Sequence, residues 1–330
     1  MRLKVRFGAA PIMISITKLI RFLSLGLVLF NCSIAAEIYA RKMEILRVPS
    51  GQATQFRDSV VIQDGGTTIT CQRALVSESQ SKAFLAGSVI IQTPEVRVES
   101  DSVEYDLGRR RAYILAYPEK RVLVRQESLV ISAPEIEYLL SDAQVQAPRG
   151  LELKNISGLF NLTGSKGTYN LSERSGVIDS IPVLVFKSDR EEPVVITAKR
   201  MEWLGLKSLV KASGSVSVAS GEGQITADSA LFYTERDSGV AWGNPLVQDG
   251  SGMAKSDTLV FLVHNRTLSR IIFIGDAEGR YCTGGGDTVM VKGNELTLSL
   301  ADGKITQIGV ANLYSGQLIR SAPKSDGLRQ

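Results

Sequence analysis

Three observations predict an all-β protein. Apolar and polar residues alternate with period two through most of the chain after residue 40. No stretch there holds a 3.6-residue period. A small residue recurs about every 32 positions. Together they predict an elongated antiparallel β-jellyroll or trough of about eight repeats, with no substantial helix after the N-terminal segment.

The composition agrees. Hydrophobic residues make up 44% of the 330 residues and aromatics only 6%, with 30 glycines and 10 prolines. That mixture suits short strands joined by tight turns better than long helices. The alternation is explicit at Val96, Val98 and Ser100 against Arg97, Glu99 and Asp101, and again at Ile225 and Ala227 against Thr226 and Asp228. Each pattern turns one face of a strand to a core and the other to water.

The repeat has a register. The small position is Cys71, Ser100, Ala133, Ser165, Ala198, Ala227, Ser256 and Gly293. Three residues on stand Ala74, Val103, Ile136, Met201, Ala230, Leu259 and Leu296; five on stand Val76, Tyr105, Tyr138, Trp203, Phe232, Phe261 and Leu298. In the fourth unit Tyr169 and Leu171 come one residue late. Gly87, Gly214 and Gly243 each lie 13 residues before a small position, where a tight turn would use a positive φ. Each unit therefore reads as three short strands. The shift of alternation after the small residue, from steps of two to a step of three, is the mark of a β-bulge or corner. A corner at every repeat bends the sheet the same way each time.

Residues 1–36 read as a signal peptide or N-terminal anchor. Lys18 and Arg21 precede the apolar run 22–30, and Ser33 and Ala35 offer small residues at −3 and −1 of a cleavage site before Ala36. An uncleaved anchor and lipidation at Cys32 are the alternatives. Arg2, Lys4, Arg6, Lys18 and Arg21 carry five positive charges against a whole-chain net of +4, so the remainder is near −1. A near-neutral mature chain has no electrostatic footprint for nucleic acid. The β repeats divide into 37–187 and 188–320, possible halves of one continuous domain, and 321–330 is expected to be a disordered tail. Cys71 and Cys282 read as two buried thiols, with pairing left open.

Little in the chain suggests catalysis. His264 is the one histidine, at an expected turn tip, which removes histidine clusters as metal sites. Asp101, Asp228 and Asp257 recur at the repeat spacing, as corner residues that bond local backbone N–H groups do. The glycine-rich run 283–287 lacks the strand, helix and lysine of a phosphate loop. The expectation is a protein that is not an enzyme, with no cofactor, catalytic residue or metal.

The runs GSVIIQTPEVRVESDSVEYDL (87–107) and GSVSVASGEGQITADSALFY (214–233) resemble the repeat of the OstA/LptA-like family. That unit is a Gly-x-Val strand, an Ala-Asp pair and a later aromatic. Here the pairs are Ser100-Asp101, Ala227-Asp228 and Ser256-Asp257, while Ala133, Ser165, Ala198 and Gly293 lack the Asp. The resemblance covers roughly residues 45–315. It implies the jellyroll of the LptA, LptC and N-terminal LptD proteins, with an open apolar groove for lipopolysaccharide acyl chains. It also implies a periplasmic location, anchored to the inner membrane if the signal is uncleaved. The implied partners are lipopolysaccharide, other Lpt-type envelope proteins joined through edge strands, and head-to-tail copies of the chain. The groove candidates are Val96, Val98, Val103, Tyr105, Leu129, Ile131, Ile136, Tyr138, Ile225, Phe232, Leu259 and Phe261. Alternation alone leaves open whether these fill a closed core or line a channel. The alternative function is a structural or adhesive β-solenoid of the envelope that binds protein or polysaccharide.

Overall fold

The computed structural model describes residues 12–16, 36–48, 51–64, 66–77, 81–106, 109, 111–187, 193–221, 223–236, 238–264, 267–283, 286–301 and 304–320. Among these the fold is all-β and antiparallel, with only two single-turn 3-10 helices, Leu140–Asp142 and Gly205–Lys207. No helix among the described residues is long and apolar enough to cross a membrane. The chain forms two compact units, Met1–Ile178 and Asp179–Gln330. The expected signal falls largely at residues 17–35, outside the described residues; Ile12–Ile16 pairs with Ala36–Ala40. The tail 321–330 is also outside them.

The repeat is built from long strands bent in the middle, not from three short ones. Thr67–Ser77, Lys82–Gln92 and Val96–Asp106 are 11 residues each and run straight through the corner. Between 111 and 204 the same path is broken at the corner into two limbs, as in Leu129–Ala133 followed by Glu135–Leu139. Prolines help to make the breaks: Pro134 and Pro148 follow corner residues and cannot donate to a ladder.

Where a strand runs through its corner unbroken, the corner carries a bulge, in several pairs of two residues against one. Ala86 pairs with Ser102 and Val89 with Ser100, so Gly87 and Ser88 oppose Asp101 alone. In the same way Asp58 and Ser59 oppose Gln72, Gly214 and Ser215 oppose Asp228, and Gly275 and Asp276 oppose Asn294. Both bulge residues take a left-handed conformation, with φ of +84° at Gly87 and +48° at Ser88. Gly214 and Gly243 also have positive φ, +78° and +79°, as their spacing predicted. A side chain at Gly87 would meet both the strained φ and the Gln72 side chain, whose Cβ lies 2.8 Å from where a Cβ would sit. The polar residue after the small position thus has a structural task. Asp101 accepts a hydrogen bond from the Tyr117 backbone N–H at 2.7 Å and an ion pair from Lys120 at 3.3 Å.

The fourth unit's displaced aromatic has a simple cause. Its small position is Gly164, which pairs with Leu151, and not the exposed Ser165. Counted from Gly164, the buried Gly167 and Tyr169 stand three and five residues on, in phase with the other units.

Bending lays the two limbs of every strand into two facing layers. In unit 1 the Tyr169 hydroxyl on one layer reaches Gln126 on the other, and Leu151 lies over Gly167. In unit 2 Leu296 lies over Gly279, 2.9 Å from where a Cβ would sit. Inward residues line up across strands. One row in unit 1 passes through Ile38, Ile62, Ile69, Ile91, Val98, Val124, Ile131, Leu153 and Leu162. All of these are buried except Val98, which is half-buried. A row of aliphatics on one face, with charged residues such as Arg97 and Glu99 on the other, is what period-two alternation produces once the register is fixed.

Of the thiols, Cys71 is free and buried in unit 1, whereas Cys282 is free and exposed, so only one of the two is a core residue.

Candidate functional site

Unit 2 holds a cleft that is open to solvent. It lies between two inward rows. The first runs Leu184, Ile196, Val218, Ile225, Val247, Ala254, Gly279, Val291 and Gly316. The second runs Trp203, Val210, Phe232, Gly239, Phe261, Ile271, Leu298 and Ile308. Up to Val247 the first row is aliphatic and filled. From there it shrinks to Ala254 and Gly279, while the second row keeps Leu298 and Ile308; Gly316, at the end of the first row, is exposed and does not line the cleft. The missing side chains leave the cleft, and Val247, Ala254, Val291, Leu296, Leu298 and Ile308 wall it.

Its walls are almost wholly apolar. Asp249 sits at the mouth, but its carboxylate accepts the backbone N–H groups of Ser251 and Gly252, both at 2.8 Å, and so serves its own turn. Among the described residues no group of His, Cys, Asp or Glu is placed to hold a metal. The arrangement offers dispersion contacts and exclusion of water to an apolar chain, and few hydrogen bonds.

The last strand, Lys304–Ile319, forms one wall of this region and pairs, among the described residues, with Thr288–Ala301 alone. Leu313, Tyr314, Leu318 and Ile319 on it are all more than half exposed. A long edge strand with exposed apolar side chains is a template for a further strand.

The twelve groove candidates fall elsewhere. Val96, Val103, Tyr105, Ile131, Ile136, Ile225, Phe232, Leu259 and Phe261 are buried; Val98, Leu129 and Tyr138 are half-buried. None of them walls the open cleft. Ile225, Phe232 and Phe261 stand on the two rows that lead into it, and Leu259 on the row of Phe273 and Leu296 beside them. The Phe232 and Phe261 rings lie 5.6 Å apart.

No family model matches the chain, and no curated protein matches it. A solved structure that does match is LptH of Pseudomonas aeruginosa, described as the LptA-homologous periplasmic component of the lipopolysaccharide transport device. The sequences are 12% identical, the match covers 45% of this chain and 82% of that one, and the TM-score is 0.22.

In unit 1 two buried hydrogen bonds link segments far apart in sequence. The Tyr169 hydroxyl donates to Gln126 Oε1 at 3.2 Å, and Gln126 Nε2 donates to the Leu171 carbonyl at 2.9 Å. Outside this pair Arg174 bonds Glu127 at 2.7 Å. Burial pushes Tyr138 and Tyr169 up to about 12 from 10, and Cys71 up to about 11 from 9. Raised pKa values of acids that are neutral in the fold fix the sign. Their contribution is complete below the unfolded values near 9 to 10 and is lost as pH rises through 11 to 12, by at most about 1.4 kcal/mol per pH unit for each group. Urea midpoints should therefore fall steeply between pH 10 and 12, and Tyr138→Phe should make that fall shallower. A midpoint equally pH-dependent in the variant would contradict this.

Proposed function

We propose that this protein binds the acyl chains of an amphiphile, read from the repeat as lipopolysaccharide, and carries them across the periplasm as one element of a bridge to the outer membrane. The observation that carries the reading is the open apolar cleft at the end of the interior rows of unit 2. A hydrocarbon chain in such a cleft gains roughly 0.8 kcal/mol per buried CH₂ with no specific polar contact. Ile225, Phe232, Leu259 and Phe261 extend the groove inward from the cleft, and the remaining candidates belong to the interior of unit 1. The terminal strand supplies the edge to which another envelope protein or a second copy adds. Transfer along apolar walls makes and breaks no covalent bond, so the role is not enzymatic, and its driving energy comes from a partner.

The test is a photo-crosslinker at Ile308, a half-buried wall of the cleft, with Gln307 as its exposed neighbour. Lipopolysaccharide should be captured from Ile308 and not from Gln307. Ala254→Leu should abolish the Ile308 adduct, because Ala254 is a buried wall of the same cleft and a larger side chain there takes up its space. Equal capture from both positions, or capture untouched by a folded Ala254→Leu protein, would sink the reading.

A second reading, an envelope solenoid that binds polysaccharide, has one observation in its favour. Tyr113 and Tyr117 are exposed on one side of unit 1, with Arg111 at 6.0 Å and Lys120 at 5.8 Å from their ring centroids. It predicts sugar-dependent quenching of tyrosine fluorescence that Tyr117→Ala reduces.

A further inference from the structure

The aromatic slot differs in kind between the two units. Five residues after the small position, unit 2 carries Trp203, Phe232 and Phe261. Unit 1 carries Tyr105, Tyr138 and Tyr169 in one row, separated by the short Ala112 and Val145. A phenol in a core costs more to bury than a phenyl ring unless its hydroxyl is bonded. Tyr169 meets that need through Gln126. The Tyr138 hydroxyl does not: its oxygen is shielded from solvent and has no hydrogen-bond partner among the described residues. Phenylalanine, used at this slot in unit 2, would fill the same volume without leaving a donor unmatched. Tyr138 stands two strands from Tyr169, across Val145, on the row whose Tyr169 belongs to the tie with Gln126.

We propose that Tyr138 is the hydrogen-bond donor of a second amphiphile site, inside unit 1, and that the Gln126, Tyr169 and Leu171 tie is the latch over it. The proposal rests on the acyl-chain reading above and adds a polar anchor to it. The ligand group is the carbonyl oxygen of the ester or amide that joins an acyl chain to its head group. Three features fix that chemistry. Tyr138 stays a neutral donor through the physiological range, since burial holds its pKa near 12. The aliphatic row through Val98, Val124, Ile131 and Leu153 belongs to the same interior and suits the chain. The latch is made of two hydrogen bonds and one exposed ion pair, which water can replace when it opens.

The experiment uses the full chain carrying Ala254→Leu, which puts a larger side chain into the cleft of unit 2, and two pyrene-labelled probes of equal length, a fatty-acid methyl ester and an alkane. Binding is read by pyrene fluorescence. Residual binding of both probes is expected. Adding Tyr138→Phe should weaken the ester by about three- to tenfold, the range of one net hydrogen bond, and leave the alkane unchanged. The thermal midpoint of this variant should match or exceed that of its parent. Gln126→Ala should speed uptake of both probes. The proposal is overturned if Ala254→Leu alone removes all binding. It is also overturned if Tyr138→Phe leaves the ester unaffected, as a bridging water at the hydroxyl would predict, or weakens ester and alkane alike, as a packing role would. Should the unsubstituted chain bind neither probe, the acyl-chain reading itself fails, which is a separate outcome.

Discussion

Phe273→Ala should be the most damaging single truncation in unit 2, lowering stability by about 4 kcal/mol. The ring is fully buried and sits in register between Leu259 and Leu296, at the strand where the filled interior gives way to the cleft. The loss adds the transfer energy of the ring to the cost of a cavity, because bent strands held by bulges on one side cannot collapse freely into the space. A set fraction of such energy is already a large share of the roughly 5–15 kcal/mol that hold a domain together. Phe273→Leu, which keeps most of the volume, should cost about 1 kcal/mol. Urea unfolding followed by far-ultraviolet circular dichroism measures both. A loss under about 1 kcal/mol for the alanine variant would mean that the two layers are not packed on each other at this point.

Phe273 also shows where the sequence stops being readable. It lies in the run Ile271, Ile272, Phe273, Ile274, four apolar residues in a row, so alternation gives no inward or outward sense. The register decides it: Ile271 and Phe273 pair with the inward Phe261 and Leu259, and Ile274 is left 41% exposed. Where the alternation is clean the reading succeeds. The positions three residues after the small residue, Ala74, Val103, Ile136, Met201, Ala230, Leu259 and Leu296, are all buried. The corners were legible because a change of phase is local information. Their second half was less so, since the left-handed pair opposite each corner is Gly-Ser at 87–88 and 214–215 but Asp-Ser at 58–59.

The cleft could not have been read from periodicity. It exists because Ala254 and Gly279 fall opposite each other on one cross-strand row, between Val247 and Val291, and that coincidence depends on the register of the strand pairs that join them. Each of those residues is unremarkable in its own segment. A one-residue slip of either strand would carry its small residue to the outer face and leave the row filled. The groove candidates were chosen by repeat position, which finds the rows, but a row is a core where both layers keep their side chains and a cleft only where one loses them.

Gly239→Ala should cost about 3 kcal/mol, an unusual penalty for one methyl group. Gly239 pairs with Phe232 on one side and Phe261 on the other, and the Phe261 ring folds across it. A Cβ there would overlap Phe261 Cζ and lie 2.5 and 2.7 Å from Cε1 and Cε2. No positive φ is involved, so the penalty is purely steric, and that makes it separable. Phe261→Leu removes the colliding atoms and should by itself cost about 1–2 kcal/mol for the lost ring contact with Phe232. Adding Gly239→Ala to Phe261→Leu should then cost well under 1 kcal/mol. The coupling between the two sites, near 2 kcal/mol, is large for a neighbouring pair and measurable by a double-mutant cycle in urea. Additive losses would place the Phe261 ring elsewhere and break the second interior row at the strand where it turns toward the cleft.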